Sequence, residues 1–196
     1  MTPYEKFIKI VGAKRYFEHH RTVLVALSGG LDSMTLFNWL YQARESLNIS
    51  LSVAHVNHQQ RVVSDHEAKV LQEKMADLGI PFYTANFVGP FSEAKARDFR
   101  YDFFERIMTE HQVTALVTAH HKDDLTENFL IRQLRGSRLR HLTEMQAVQP
   151  FGEGHQGLAL IRPLLAFEKS EFDATDYFED ASNAENDYVR NRVRNL

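Results

Sequence analysis

Apolar residues along this chain follow two alternating spacings. Residues 22–27 (TVLVAL) form a short unbroken apolar run, the mark of a strand buried on both faces. Over 33–45, Leu36, Phe37, Leu40 and Tyr41 recur at helical spacing, and 49–56 predicts a second strand. Ser64-Asp65-His66-Glu67 reads as a capping box opening a helix that carries Val70, Leu71, Met75 and Leu78. Gly79 and Pro81 end it. Residues 81–87 predict a third strand, and 92–110 a helix with Phe99, Phe103 and Ile107 on one face. Residues 113–118 (VTALVT) predict a fourth strand, 123–135 a helix stopped at Gly136, and 158–161 a fifth strand. Residues 149–157, with Gly152, Gly154 and Gly157, read as a loop. Strands separated by helices imply parallel pairing with right-handed crossovers. The expected fold class is therefore α/β: a doubly wound, mainly parallel sheet with helices on both faces.

Composition narrows the function classes. At 196 residues the chain is expected to form one domain with a real core. No apolar run approaches the ~20 residues of a membrane span, and residues 1–11 lack a signal peptide's apolar centre. No membrane is expected. There is no cysteine, which removes disulfides, thiolate metal sites and cysteine nucleophiles, and fits a cytoplasmic location. The net charge of −3 makes the chain no general polyanion binder, so a nucleic-acid partner would need local basic patches. Two such patches occur. Arg132, Arg135, Arg138 and Arg140 stand in one segment without an acid, and Arg190, Arg192 and Arg194 in another.

The chemistry is most legible between the first strand and the first helix. Ser28-Gly29-Gly30-Leu31-Asp32-Ser33 lies at the carboxyl end of a predicted parallel strand, where such sheets bind ligands. Paired glycines let the backbone approach an anion, and the helix N-terminus offers it N–H groups. Ser28 and Ser33 add hydroxyls. Asp32 would repel a phosphate unless it holds Mg²⁺, which makes it the candidate metal ligand. Neither the Gly-Lys-Ser/Thr mononucleotide loop nor Gly-x-Gly-x-x-Gly is present.

The hexapeptide resembles the SGGxDS loop of the ATP-pyrophosphatase (PP-loop) superfamily, with its adenine nucleotide alpha hydrolase-like fold. Members cleave ATP between the α and β phosphates and pass AMP to a substrate. Further segments sharpen the resemblance: His55-Val56-Asn57-His58-Gln59-Gln60-Arg61, Ala96-Arg97-Asp98-Phe99-Arg100-Tyr101 and Thr118-Ala119-His120-His121-Lys122-Asp123-Asp124-Leu125-Thr126-Glu127. Leu134-Arg135-Gly136-Ser137, Arg162-Pro163-Leu164-Leu165 and Asp180-Ala181-Ser182-Asn183 follow, with Tyr188, Arg190, Asn191 and Arg194. In this order they resemble the catalytic domain of the tRNA(Ile)-lysidine synthase family, over nearly the whole chain.

That resemblance implies an AMP-forming C–N ligase. It would attach L-lysine to carbon 2 of the wobble cytidine of isoleucine tRNA with a CAU anticodon, through an adenylated cytidine. It implies ATP and Mg²⁺ as cofactors and Ser28, Gly29, Gly30, Leu31, Asp32, Ser33 and His55 as the ATP-binding residues. Asp124 and Glu127, three apart on one helix face, would take the lysine ammonium, and Arg100 would lie near the α-phosphate. Residues 1–196 are then expected to form one catalytic domain, with a core over about 20–165 and a helical extension over 166–196, and without the family's further tRNA-binding domains. A homodimer stays open. Gln60 stands where the family prefers Leu, and Arg138 and His141 where it has glycines.

Blander readings stand beside these. Asp123, Asp124 and Glu127 also suit a solvated helix N-terminus, and His120, His121, Asp123 and Asp124 could ligate a metal. His55 and His58 could be structural, and Arg97 and Arg100 a surface pair. A different adenylating enzyme of the superfamily, or an ATP- or tRNA-binding module with little activity, remains the competing function. Thiolases of tRNA are disfavoured because their sulfur relay needs cysteines.

Overall fold

The computed structural model describes residues 1–57, 64–89, 92–127, 145–152 and 157–179. Its elements run α1 (Pro3–Ala13), β1 (Thr22–Ala26), α2 (Leu31–Ala43), β2 (Ser50–Asn57), α3 (Ser64–Asp77), β3 (Phe82–Asn86), α4 (Glu93–Glu110) and β4 (Ala115–Val117). A helix follows over 122–127 as far as it is described, then β5 (Val148–Pro150), β6 (Ala159–Ile161) and a 3₁₀ turn at Lys169–Glu171.

The sheet order is β3-β2-β1-β4-β6-β5. β1 pairs in parallel with β2 (Val25 opposite Val53) and with β4 (Val25 opposite Val117). β2–β3 and β4–β6 are parallel as well, and among the described strands only β5 runs antiparallel, on β6. From β1 the chain winds outward through β2 and β3, then returns to place β4 on the other side of β1. The switch point of this doubly wound sheet therefore lies between β1 and β4.

Alternation along each strand feeds two separate cores. Val23 and Val25 of β1, Ala115 and Val117 of β4, and Ile161 of β6 face a layer formed with Phe7, Leu36, Phe37, Trp39, Leu71 and Met75 of α1, α2 and α3. Leu24, Leu116 and Leu160 face the opposite layer, built on Phe103, Phe104, Ile107 and Met108 of α4. Both faces of each central strand are covered, so Val23 to Leu27 holds no polar residue.

Local chemistry sets the ends. Ser92 caps α4 by accepting the Lys95 N–H at 3.2 Å. Gly79 takes φ +67° just after α3, the conformation that glycine adopts at no steric cost. α3 begins at Ser64 itself, one residue earlier than a Ser64 cap would place it.

Two elements differ from the sequence expectation. α1 was not expected, yet Thr2 and Glu5 form a capping box with Pro3 in the first turn. β5 occupies the start of the 149–157 stretch read as a loop. Three residues at a sheet edge show no usable alternation, and Pro150 is tolerated there because an edge strand need not donate every N–H. Within the expected helical extension, the described residues 166–179 hold a single 3₁₀ turn.

No helix among the described residues is long and apolar enough to cross a membrane.

Phe167 is fully buried, with its ring centroid 5.4 Å from Trp39 and 6.5 Å from Phe7. Phe167→Ala should lower the unfolding free energy by about 3–5 kcal/mol in urea denaturation. A loss under about 1 kcal/mol would mean that α1 and α2 close the gap.

Candidate functional site

The chain leaves β1 and turns at Ser28, Gly29 and Gly30 into α2. The turn is organised from inside by Ser33, whose side chain is buried. Its Oγ accepts the N–H groups of Ser28 (3.2 Å) and Gly29 (3.1 Å), donates to the Gly30 carbonyl (3.1 Å), and lies 3.0 Å from Ser28 Oγ. Ser33 was expected as a donor to phosphate; here its hydroxyl first shapes the loop. Gly30 caps α2 without a side-chain hydrogen bond, so the first N–H groups of the helix lack an intrahelical partner, as an anion site requires.

The two glycines are needed for different reasons. Gly29 has φ +90°, and a Cβ there would fall 2.8 Å from Phe178 Cδ2 and 3.3 Å from Leu71 Cδ1. Gly30 has an ordinary φ of −78°, and a Cβ there would meet only Ser28 Oγ, at 3.7 Å. Gly29 is crowded by protein, whereas Gly30 borders open space.

Beside this loop, β4 runs into Thr118 to His121 and the helix at 122–127. His121 is almost wholly buried. Its Nε2 lies 3.4 Å from Asp32 Oδ2 and 3.5 Å from Asp124 Oδ2, and its Nδ1 lies 3.4 Å from Asp123 Oδ2. Burial opposes charge on the imidazole, but the contact with Asp32 and the charges of Asp124, Asp32 and Asp123 outweigh it, and the His121 pKa is raised. Asp32 is the converse case. Burial pushes its carboxyl up, yet the contact with His121 and the Lys169 charge prevail and hold it below the ordinary value. Asp32 Oδ1 is 3.4 Å from Lys169 Nζ but makes no hydrogen bond.

Asp124 has a second duty. Its Oδ2 accepts the His121 N–H at 2.9 Å, closing the start of the helix as the carboxylate half of a capping box does. The expected helical face thus bears both the site and its own cap. Glu127 is buried, only 5% exposed, on the same helix.

The third wall is α4, which brings Arg100, Tyr101 and Phe104 to the cleft. Tyr101 stacks on Phe151 at 5.8 Å. Arg162 is buried beneath, donating to the Gln146 carbonyl (2.9 Å) and Gln149 Oε1 (2.7 Å), so it buttresses β5.

A cleft of about 250 Å³ opens where these walls meet. Ser28, Asp32, Ser33, Arg100 and Asp124 all line it. Gly29 and Gly30 in the turn, Leu31 at the start of α2 and the buried Glu127 are not part of that lining, nor is His55, whose Nδ1 lies 2.8 Å from the Leu27 carbonyl. Sequence reasoning did not single out Tyr101 or Phe104 as site residues, and it named His121 only as one possible metal ligand. The first two stand in or beside the quoted ARDFRY segment, and His121 is the inner histidine of His120-His121, but only packing distinguishes it from its neighbour. His58, Arg132, Arg135, Arg138, Arg140, Arg190, Arg192 and Arg194 lie outside the described residues.

Among the described residues no group of three or more His, Asp or Glu side chains forms a metal site. A magnesium ion that arrives with a nucleotide needs fewer protein ligands, one or two carboxylates completed by phosphates and water. The buried Oδ1 of Asp32, without a hydrogen bond, fits that need.

The PP-loop domain family matches residues 3–196. The tRNA(Ile)-lysidine synthase of Streptococcus sanguinis is 54% identical over 98% of this chain and 44% of that protein. That of Lactococcus lactis is 50% identical over 100% of this chain and 45% of that protein. The chain thus spans less than half the length of these curated relatives. Among solved structures, the U34-tRNA thiolase NcsA from Methanococcus maripaludis superposes with a TM-score of 0.72 at 16% identity, covering 98% of this chain and 69% of that one. NMN synthetase from Francisella tularensis gives 0.53 at 16%, covering 87% and 68%. At such identities the likeness is one of fold. The NcsA structure carries an iron–sulfur cluster, and this chain has no cysteine to hold one.

The buried His55 carries a pH signature. Burial lowers its pKa, against the Leu27 hydrogen bond and the Glu67 charge, which raise it. Below the ordinary 6.5 the unfolded chain takes up a proton that the folded chain resists, so stability is lost as pH falls through that value. The slope can reach about 1.4 kcal/mol per pH unit. Urea unfolding between pH 8 and pH 5.5 should show a steeper loss for wild type than for His55→Gln; equal losses would assign the shift elsewhere.

Proposed function

The chain belongs to the PP-loop domain family, and from that premise we propose that it uses ATP to join L-lysine to carbon 2 of the wobble cytidine of isoleucine tRNA. The observation that carries this reading is the convergence of Ser28, Asp32, Ser33, Arg100 and Asp124, from three separate segments, on one cleft. The names of the curated relatives support the substrate.

The reaction has two displacements. The cytidine 2-oxygen attacks the α-phosphorus of ATP, and pyrophosphate leaves. The lysine ε-amine then attacks carbon 2, AMP departs with the 2-oxygen, and the nitrogen sheds its proton. In this reading the turn Ser28-Gly29-Gly30 and the start of α2 hold the phosphates. Mg²⁺, held by Asp32, would screen the phosphate charge. Arg100 stabilises negative charge developing at the α-phosphate. Lysine arrives as an ammonium with a side-chain pKa of about 10.4, so it needs a carboxylate partner and must lose a proton before attack. Asp124 at the cleft and the buried Glu127 serve that purpose. The arginine segments at 132–140 and 190–194 serve the tRNA phosphates.

The test is incubation of the chain with ATP, labelled lysine and unmodified isoleucine tRNA transcript. Label should enter the RNA, with AMP and pyrophosphate as co-products. ADP as the main nucleotide product would refute the reading. Gly30→Val should abolish ATP binding and keep the unfolding midpoint, since the added side chain enters open space rather than protein. Unaltered ATP affinity in that variant would remove the loop from the ATP site.

Asp124→Asn keeps an oxygen to accept the His121 N–H but deletes the charge. It should weaken apparent lysine binding by about 2–4 kcal/mol while the Michaelis constant for ATP changes little. Equal effects on both substrates would reduce Asp124 to its capping role.

A further inference from the structure

The segment that follows the 3₁₀ turn is laced to the outside of α2 and ends on the phosphate loop. Asp173 Oδ1 accepts the Trp39 indole N–H at 3.0 Å, and the Ala174 N–H donates to Thr35 Oγ1 at 3.3 Å inside the core. Asp176 accepts from Asn38 at 3.2 Å and pairs with Lys74 of α3. Two residues later the Phe178 N–H donates to the Gly29 carbonyl at 2.8 Å. The ring of Phe178 lies against the same glycine, on the side where a Cβ would project, with Leu71 completing the wall.

Gly29 is the one residue of the loop in the left-handed region, at φ +90°, which glycine alone adopts freely. Its N–H is held by Ser33 Oγ from within. Its carbonyl is held by Phe178 from without. The orientation of the Gly29–Gly30 peptide, whose N–H donates to Ser28 Oγ at 3.4 Å, sets how the chain enters α2 and where the first N–H groups of the helix point. Fixing both ends of Gly29 therefore fixes that orientation before a ligand arrives. Preorganised donors lose no free energy to reorganisation on binding.

We infer that Phe178 is a positioning residue for ATP: through its N–H and its ring it clamps Gly29 and keeps the phosphate loop in its binding shape. This rests on reading Ser28-Gly29-Gly30 as the ATP phosphate loop. The strap spans 173–178 and makes its other contacts to α2 and α3 away from the cleft, so Phe178 touches no reacting atom. Its loss should act on nucleotide affinity, not on lysine.

The experiment is calorimetric titration of Mg-ATP into wild type, Phe178→Ala, Phe178→Leu and Phe178→Pro, with unfolding midpoints recorded without nucleotide. Phe178→Ala should bind ATP about tenfold more weakly, the worth of one lost positioning contact. Phe178→Leu, with apolar bulk and the N–H retained, should recover most of that affinity. Phe178→Pro removes the N–H and should bind at least as weakly as Phe178→Ala; if it does not fold, the Ala and Leu pair decides. In turnover assays Phe178→Ala should raise the Michaelis constant for ATP and leave that for lysine unchanged. ATP affinity equal to wild type in Phe178→Ala, or a parallel rise in both Michaelis constants, would overturn the clamp. Absence of ATP binding in wild type would instead overturn the phosphate-loop reading and this inference with it.

Discussion

Parallel pairing of β1 with β4 is the constraint on which the site depends. Val25 lies opposite Val117, so the residues that follow each strand emerge side by side at the same sheet edge. One exit carries Ser28 to Ser33 and the other Thr118 to Asp124. In an open parallel sheet such a gap forms only where the winding reverses, because elsewhere the crossover from each strand covers its neighbour. β1 winds one way to β2 and β3, and the other side of the sheet is filled later by β4 and β6. The cleft is thus a by-product of strand order. α4 closes it on one face because its own apolar side must cover Leu24 and Leu116.

Bringing the two exits together also brings carboxylates together. Asp32 from one and Asp123 and Asp124 from the other would repel in a partly buried setting. His121 resolves this by standing between all three, within 3.4–3.5 Å of each. The raised pKa of the imidazole and the lowered pKa of Asp32 are two sides of one interaction. Lys169, placed by the 3₁₀ turn whose own N–H groups lean on Asp123 and Glu171, adds a further cation at the rim. The proposed reaction brings phosphates and an ammonium to one place, and this mixture of signs suits both.

The same logic of support from outside applies to the backbone. Ser33 holds the loop from within, and the strap from Asp173 to Phe178 holds it from behind. Gly29 and Gly30 look equivalent in a sequence, but one is pressed between Phe178 and Leu71 and the other faces open space. Their substitution should therefore fail for different reasons, the first through strain and collision and the second through blocked binding.

The sequence by itself determined much of this. Unbroken apolar runs separated by helical spacing require a parallel sheet covered on both faces, because no other arrangement buries them. SGGLDS at the first strand's end marks a candidate anion loop for a local reason: glycine conformations and a helix N-terminus are properties of adjacent residues. Arg100, Asp124 and Glu127 were legible as candidates through motifs that resemble those of the family. What adjacency cannot carry is distance across the fold. Only the tertiary structure decided that His121 rather than His120 sits among the carboxylates, that Tyr101 and Phe104 wall the cleft, and that Phe178 reaches back to Gly29. α1 was missed although its Thr2–Glu5 box is local, while β5 is too short and too exposed to leave a pattern. These long-range pairings arise from strand order and packing, which bring together residues that have no periodic relation along the chain.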